Sequence, residues 1–254
     1  MDTSDCTSNR MKMSETLRVS IVIPVHNEEE NIIDTLQTVE SNFNNCDCEI
    51  VVANDYSTDN TCGIVDSFRK QHSNVKLVNN DSDKGFAYAL RTGFRYVSYE
   101  VVVPVMADLC DDVATINKML EKIKEGFDVV CASRYIKGGS RYGGSKIKGV
   151  LSRWAGISIH FLLGIPTHDI ANAFKMYRRE VLENIVINSS SFEISMELPL
   201  KAYFKGFKIT EVPTVWRERT KGKSSFRILR LIPNYLKLYS WGIFMGFKKR
   251  MRMR

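Results

Sequence analysis

Five short runs rich in β-branched residues constrain this chain more than any other feature: Arg18 to Pro24 (RVSIVIP), Glu49 to Ala53 (EIVVA), Val75 to Val78 (VKLV), Val101 to Met106 (VVVPVM) and Asp128 to Ser133 (DVVCAS). Between them lie segments whose apolar residues recur three or four apart: Ile32, Ile33, Leu36 and Val39, then Phe86 to Val97, then Ile116 to Ile123. Strands joined through helices run the same way, so this alternation predicts an α/β fold with a mostly parallel sheet covered by helices. Pro104 counts against the fourth strand, since proline has no N–H for the ladder and prefers edges or bulges.

In such sheets ligands collect at the carboxyl ends of the strands. The polar clusters of this chain stand at those ends: His26-Asn27-Glu28, Asn54-Asp55-Tyr56-Ser57, Asp108 with Asp111, and Arg134. The third is the most informative, because the apolar run VVVPVMADLCDD ends in three carboxylates, Asp108, Asp111 and Asp112. Taken alone it reads equally as an acidic surface loop, Asp being a common turn residue.

Charge is uneven along the 254 residues. Residues 1 to 200 carry 21 Lys and Arg against 27 Asp and Glu, whereas residues 201 to 254 carry 15 against 2. A cationic face of this kind attracts phosphates, whether on nucleic acid, anionic lipid or a nucleoside diphosphate. Nucleic acid ranks last, because the tail lacks the repeated aromatic and basic surface that reads bases. The six cysteines show neither CxxC pairs nor zinc-type spacing and are expected to be reduced thiols of a cytosolic protein. Residues 1 to 16 are polar and lack a signal-peptide core, which predicts a disordered lead-in. The longest uncharged apolar runs, Trp154 to Thr167 and Leu238 to Phe247, fall short of the about 18 residues a membrane span needs.

After Gly138 a basic loop (GGSRYGGSKIKG) precedes a helix-like segment ending at Gly164, a turn at Pro166 and the polar pair His168-Asp169. From Phe226 onward, apolar and aromatic residues alternate with Arg227, Arg230 and Lys237, and five of the last seven residues are basic. Two short amphipathic helices broken at Pro233 fit this pattern. They suit a bilayer interface with anionic headgroups, and equally a pair packed on the domain or used for homodimerisation.

Seven motifs, in order, resemble the family 2 inverting glycosyltransferases of GT-A fold, most closely the branch of dolichyl-phosphate mannose synthases and related polyprenyl-phosphate hexosyltransferases. They are PVHNEEENI (Pro24 to Ile32), NDYSTDNT (Asn54 to Thr61), DKGFAYALRTGF (Asp83 to Phe94), MADLCDD (Met106 to Asp112), ASRY (Ala132 to Tyr135), HDIANAFKMYRREVL (His168 to Leu182) and WRERTKGKSSF (Trp216 to Phe226). The likeness spans residues 17 to 226, leaving 227 to 254 as a basic amphipathic extension. It implies a nucleotide-sugar donor linked to GDP or UDP, Mg²⁺ or Mn²⁺, and a polyprenyl phosphate or glycan acceptor on the cytoplasmic face of a membrane.

The resemblance also implies roles for particular residues. Pro24, His26 and Glu28 match the first strand end, where the family holds the nucleotide; an N-cap cluster opening a helix at Glu28 is the structural alternative. Asp55 matches an acidic residue that contacts base or ribose, while Asn54 replaces the usual first aspartate. In the metal motif Met106 takes the place of the first aspartate, Ala107 lies in the middle beside the donor, and Asp108 keeps the second place. Asp111 or Asp112 could add a carboxylate. A hard cation holding several waters can manage with one carboxylate and two donor phosphate oxygens. Arg134 and Arg219 match diphosphate-binding arginines, and Ser225 replaces a family lysine.

Asp169 matches the acceptor-side acidic position and could deprotonate an acceptor hydroxyl; as an N-cap of a helix beginning near Ala171 it would be structural. A phosphate acceptor, with a second pKa of about 6, is already largely ionised at neutral pH, and Asp169 would then orient it. His168 is read as structural. The implied chemistry is a single in-line displacement at the anomeric carbon, carried by Asp108 and Asp169. Because Met106 and Ser225 depart from the family pattern, a degenerate nucleotide-sugar-binding subunit stands as a further alternative.

Overall fold

A computed structural model of the protein describes residues 17–43, 48–222 and 228–252. The predicted N-terminal lead-in, Cys46, and the stretch from Lys223 to Arg227 that includes Ser225 lie outside the described residues.

In chain order the elements are β1 (Val19–Val25), α1 (Ile32–Asn42), β2 (Cys48–Asn54), α2 (Thr61–Phe68), β3 (Val75–Asn79), α3 (Phe86–Arg95), β4 (Val101–Pro104), α4 (Thr115–Lys124), β5 (Val129–Ser133), β6 (Ser140–Tyr142), α5 (Lys146–Leu163), β7 (Lys175–Arg178), α6 (Arg179–Glu183), α7 (Ile194–Lys205), β8 (Ile209–Pro213), β9 (Val215–Arg217) and α8 (Ile228–Arg252). Seven strands form one sheet in the order β3-β2-β1-β4-β7-β5-β8, and β6 pairs with β9 in a small second sheet. All pairings in the large sheet are parallel except those of β7, which runs antiparallel between β4 and β5.

Every residue of β1 is buried, because helices cover both faces. Val19, Ile21, Ile23 and Val25 face one core with Leu36 and Val39 of α1, Val65 of α2 and Met119 and Ile123 of α4. Val22 faces the other, with Leu90 of α3, Ile159 of α5 and Leu200 of α7. The two-residue period of the strand thus meets two helical layers. Gly93 lets α3 lie close to the sheet: a Cβ there would come within 2.4 Å of a Val22 methyl.

Pro104 is accommodated in a central strand. Val105 donates its N–H to the Val22 carbonyl at 2.9 Å, so by alternation position 104 faces β7, where pairing has already ended at Val102 with Tyr177. The missing N–H therefore deprives no ladder partner. A second difference from expectation is α8, one helix of 25 residues that continues through Pro233. Pro233 is the sixth residue of that helix, so only a single bond near its N-terminus is lost, and packing on α5 and α7 holds the rest. Tyr235, Leu238, Tyr239 and Trp241 pack against the core on the α7 side. Packing on the domain thus accounts for one face of the tail.

Candidate active site

Because β1, β2, β4 and β5 all run the same way, their carboxyl ends bring His26, Asp55, Asp108 and Arg134 to one edge of the sheet. The antiparallel β7 begins where those strands end, so the segment before it delivers Asp169 and Asn172 to the same edge. Among the candidates named from sequence, Pro24, His26, Glu28, Asp55, Ala107, Asp108, Asp111, Arg134, Asp169 and Arg219 are therefore drawn from six separate stretches into one crevice rim.

On the flank formed by β1 and β2, His26 Nδ1 lies 2.7 Å from the Asp55 carbonyl oxygen. One Asp55 carboxylate oxygen, Oδ1, accepts from Asn80 Nδ2 at 2.9 Å and from the Gly85 N–H at 3.0 Å. Pro24 pairs with Ala53 in the β1–β2 ladder. Ala107 is buried, and its carbonyl accepts from the Thr35 hydroxyl at 2.6 Å, which ties α1 to the acidic loop. The structural alternative of a helix opening at Glu28 is not met: α1 begins at Ile32, after a turn in which the Glu28 carbonyl accepts from Asn31 and Ile32. Glu28 does not cap it: its carboxylate takes the amide of Asn31 at 2.6 Å and the guanidinium of Arg219 at 2.7 Å.

Arg219 reaches this point from far along the chain because β9 is stitched to the acidic loop. Asp111 bridges Trp216, the Arg217 N–H donates to the Cys110 carbonyl at 2.7 Å, and the Asp112 N–H donates to the Val215 carbonyl at 3.1 Å. Arg219 follows β9 by two residues and places Nη1 4.0 Å from Asp108 Oδ2. The other Asp108 oxygen accepts the Cys110 N–H at 3.2 Å. Among the described residues no group of three His, Cys, Asp or Glu stands ready to hold a metal. The set fits a cation that keeps its waters and takes oxygens from a diphosphate, with Asp108 as its carboxylate; such hard cations commonly use one or two carboxylates plus substrate phosphates. Met106 and Cys110, the neighbouring sulfur groups, are the wrong chemistry for it.

The opposite flank is organised around Asp169, which is wholly buried. Asp169 Oδ2 accepts the backbone N–H of Arg134 at 3.0 Å and its Nε at 2.7 Å, and Oδ1 accepts Nη2 at 2.8 Å. Arg134 Nη2 also donates to the Ser152 hydroxyl of α5 at 3.1 Å. Burial alone would lower the Arg134 pKa; the Asp169 carboxylate more than reverses this and keeps the guanidinium charged. Asp169 caps no helix, because the chain turns at Ala171 and enters β7 at Lys175. Asp111 is buried beside this pair and accepts from Asn172 Nδ2 at 3.3 Å; burial pushes its pKa up to about 7, with Arg134 pulling the other way. His168 turns from the crevice to Glu211 and stacks on His160 with ring centroids 4.1 Å apart, as its structural reading requires.

Sequence reasoning missed the support beneath this cluster. Lys175 is fully buried, and its ammonium donates to the carbonyls of Ile170 (3.0 Å), Asn172 and Ser195 (3.1 Å). The third bond has a covalent reason. Pro199 in α7 has no N–H to give to Ser195, four residues back, and Lys175 supplies the donor instead. Gly156 completes the fit: a Cβ there would lie 2.0 Å from the His168 carbonyl oxygen, so α5 can rest on the Asp169 loop only as glycine. A charged residue inside AFKMY was the available signal for Lys175; nothing local marks its partners.

A model of glycosyl transferase family 2 matches residues 20–186. The chain belongs to this family. Two curated relatives extend the match over more of the chain. It is 29% identical over 231 residues to a dolichol-phosphate mannosyltransferase of Pyrococcus furiosus, covering 89% of this chain and 64% of that relative's length. It is 30% identical over 236 residues to a polyprenol monophosphomannose synthase of Mycolicibacterium smegmatis, covering 90% of this chain and 88% of the relative. Thus the family 2 chain spans under two thirds of the archaeal protein. Among solved structures, glucosyl-3-phosphoglycerate synthase of Mycobacterium tuberculosis in complex with Mn²⁺, UDP and glucosyl-3-phosphoglycerate superposes with a TM-score of 0.65 at 17% identity, covering 91% of this chain and 80% of the other. The same enzyme with Mg²⁺ and UDP gives 0.66 at 16% identity, covering 91% and 79%. The shared architecture is the GT-A fold.

Proposed function

We propose that this family 2 glycosyltransferase moves a hexose, mannose by its relatives' names, from a GDP- or UDP-linked donor to a polyprenyl phosphate at a membrane surface, with inversion. Pro24, His26, Glu28, Asp55 and Ala107 line the donor side, and Arg134 and Arg219 supply positive charge for phosphate oxygens. Asp108 would hold the divalent cation, Mg²⁺ or Mn²⁺, with Asp111 as the second acidic group of the site. When bound, that cation neutralises charge developing on the departing diphosphate. Asp169 holds Arg134 in place, and it orients the acceptor instead of taking a proton from it.

The observation that carries this reading is the position of α5. One side of it gives Ser152 to Arg134. Its other side leaves Ile147, Trp154 and Phe161 exposed, and α8, packed alongside, exposes Phe244, Phe247 and Met251. The Arg134–Asp169 pair thus adjoins an apolar face of two helices whose sequences carry Lys146, Lys148, Lys248 and Lys249, a layout that supports the reading of an acceptor with a phosphate head and a lipid tail. Among the described residues no helix is long and apolar enough to cross a membrane. Residues 17 to 226 would then form the catalytic domain and residues 227 to 254 part of its interfacial face, on the cytoplasmic side. That apolar face also suits a second copy of the chain as a homodimer.

The test is a thermal-shift screen of GDP- and UDP-sugars with and without Mn²⁺, since a ligand stabilises by mass action, followed by transfer of labelled hexose to a polyprenyl phosphate. Stabilisation by one donor with Mn²⁺, and its loss in Asp108→Ala, is the expected result. Absence of any donor effect rejects the reading. Met106 favours a second reading, a degenerate nucleotide-sugar-binding subunit; donor binding without transfer or hydrolysis would select it. Transfer to a saccharide hydroxyl in place of the lipid phosphate would select the other acceptor class.

A further inference from the structure

Arg219 stands in a position that a diphosphate-binding arginine does not require. Its Nη2 lies 2.7 Å from Glu28 Oε2, its Nη1 lies 4.0 Å from Asp108 Oδ2, and its Nε donates to the Lys221 carbonyl at 2.8 Å. The guanidinium side chain is only 13% exposed. Gly222, in a left-handed conformation, closes against it: a Cβ there would sit 3.0 Å from Nη2. The neighbouring Lys221 is anchored to Asp34 of α1 at 2.9 Å. Together these contacts lay the segment after β9 across the mouth of the donor site, with a fixed positive charge beside Asp108.

We propose that Arg219 competes with the divalent cation for Asp108, so that the cation is accepted only together with a nucleoside diphosphate. The inference rests on the donor site proposed above. A hard cation binds a carboxylate oxygen at about 2.0–2.1 Å. Placed on the Arg219 side of Asp108 it meets Nη1 at steric contact, and placed elsewhere on that oxygen it still lies near a like charge in a partly buried setting, where screening is weak. A diphosphate changes the balance. Its oxygens give the guanidinium a bidentate partner in place of Glu28, and they ligate the cation as well. Arg219 thereby makes cation binding conditional on donor.

The test measures free Mn²⁺ by electron paramagnetic resonance during titration of the full-length protein, alone and with UDP or GDP. Arg219→Gln is expected to bind Mn²⁺ alone about five-fold more tightly than the parent, the scale of one ion pair at such a site. The same variant should show a smaller gain on adding nucleotide. Arg219→Lys keeps the charge and should stay near the parent in both. Circular dichroism checks that each variant is folded, and Arg219→Ala serves as a second variant predicted to raise Mn²⁺ affinity in the same direction. Equal or weaker Mn²⁺ binding by Arg219→Gln, with the parent still binding Mn²⁺ and nucleotide together, overturns this inference alone. A parent that binds no nucleotide with Mn²⁺ overturns the donor reading and this inference with it.

Discussion

Replacing Asp169 by Asn tests the acceptor side most directly, because the structure fixes what the substitution removes. Asp169 is completely buried and accepts three hydrogen bonds from Arg134, whose side chain is only 11% exposed. Asparagine keeps the shape but has a single acceptor oxygen, and its amide N–H₂ confronts guanidinium donors. Breaking one partner of a buried ion pair costs about 3–5 kcal/mol. Asp111 also favours the Arg134 cation and offsets part of this, which puts the expected loss near the lower end, about 3 kcal/mol. For a chain of this size that corresponds to a fall in Tm of about 6–12 °C, read by differential scanning calorimetry. Adding Arg134→Met should return part of the loss, since the stranded charge goes with it. A fall under about 2 °C would refute the claim that this pair organises the loop. Activity supplies the second arm. A general base contributes about 10²–10⁴ in rate, whereas a phosphate acceptor needs none. Loss exceeding about a hundredfold in folded Asp169→Asn protein therefore sinks the phosphate reading in favour of a hydroxyl acceptor.

Three other perturbations have definite expected outcomes. Lys175→Met strands three buried carbonyls and should cost about 3 kcal/mol or more; Pro199→Ala should stabilise that variant by restoring a donor to Ser195, yet give no such gain in the parent, and denaturant unfolding of the four proteins would expose the wrong sign. Glu49, held by Lys76, Ser20 and Ser98, has its pKa lowered although burial acts to raise it. Its contribution is therefore present above the ordinary value of 4.5 and is lost as pH falls through the depressed folded value. Glu49→Gln should lose about 2–3 kcal/mol at pH 7, with the gap to the parent closing below pH 4.5; a gap that widens in acid contradicts the assignment. Trp154→Glu and Phe247→Glu should each weaken co-sedimentation with anionic vesicles by about tenfold or more, on the scale of one buried aromatic side chain; unchanged sedimentation of both would remove the membrane from the model of function.

Much of the site was legible because chemistry at a strand end is local. His26, Asp55, Asp108 and Arg134 each follow a β-branched run, and parallel strands must point their ends the same way. Asp169 was legible only through family likeness, since β7 is four residues long, has charged ends and carries no alternation that would mark it as a strand. Its place between β4 and β5, and its reversed direction, are what bring the preceding loop to the crevice. The alternative of an N-cap for Asp169 failed for the same reason: with Arg134 paired across the sheet edge, the carboxylate had a stronger partner than a helix terminus.

The strand and helix rhythm, the two-faced core, the cationic C-terminal fifth and the replacement of an acidic residue by Met106 follow from residue order alone, because periodicity, charge and residue identity are properties of the chain itself. The tertiary structure decided that Pro104 could enter a central strand, that α8 runs unbroken, that Lys175 answers the proline of a distant helix, and that Arg219 lies between Glu28 and Asp108. Each of these depends on which group stands opposite in space, and pairing across long separations is set by packing of the whole sheet and its helices, not by the local pattern that precedes it.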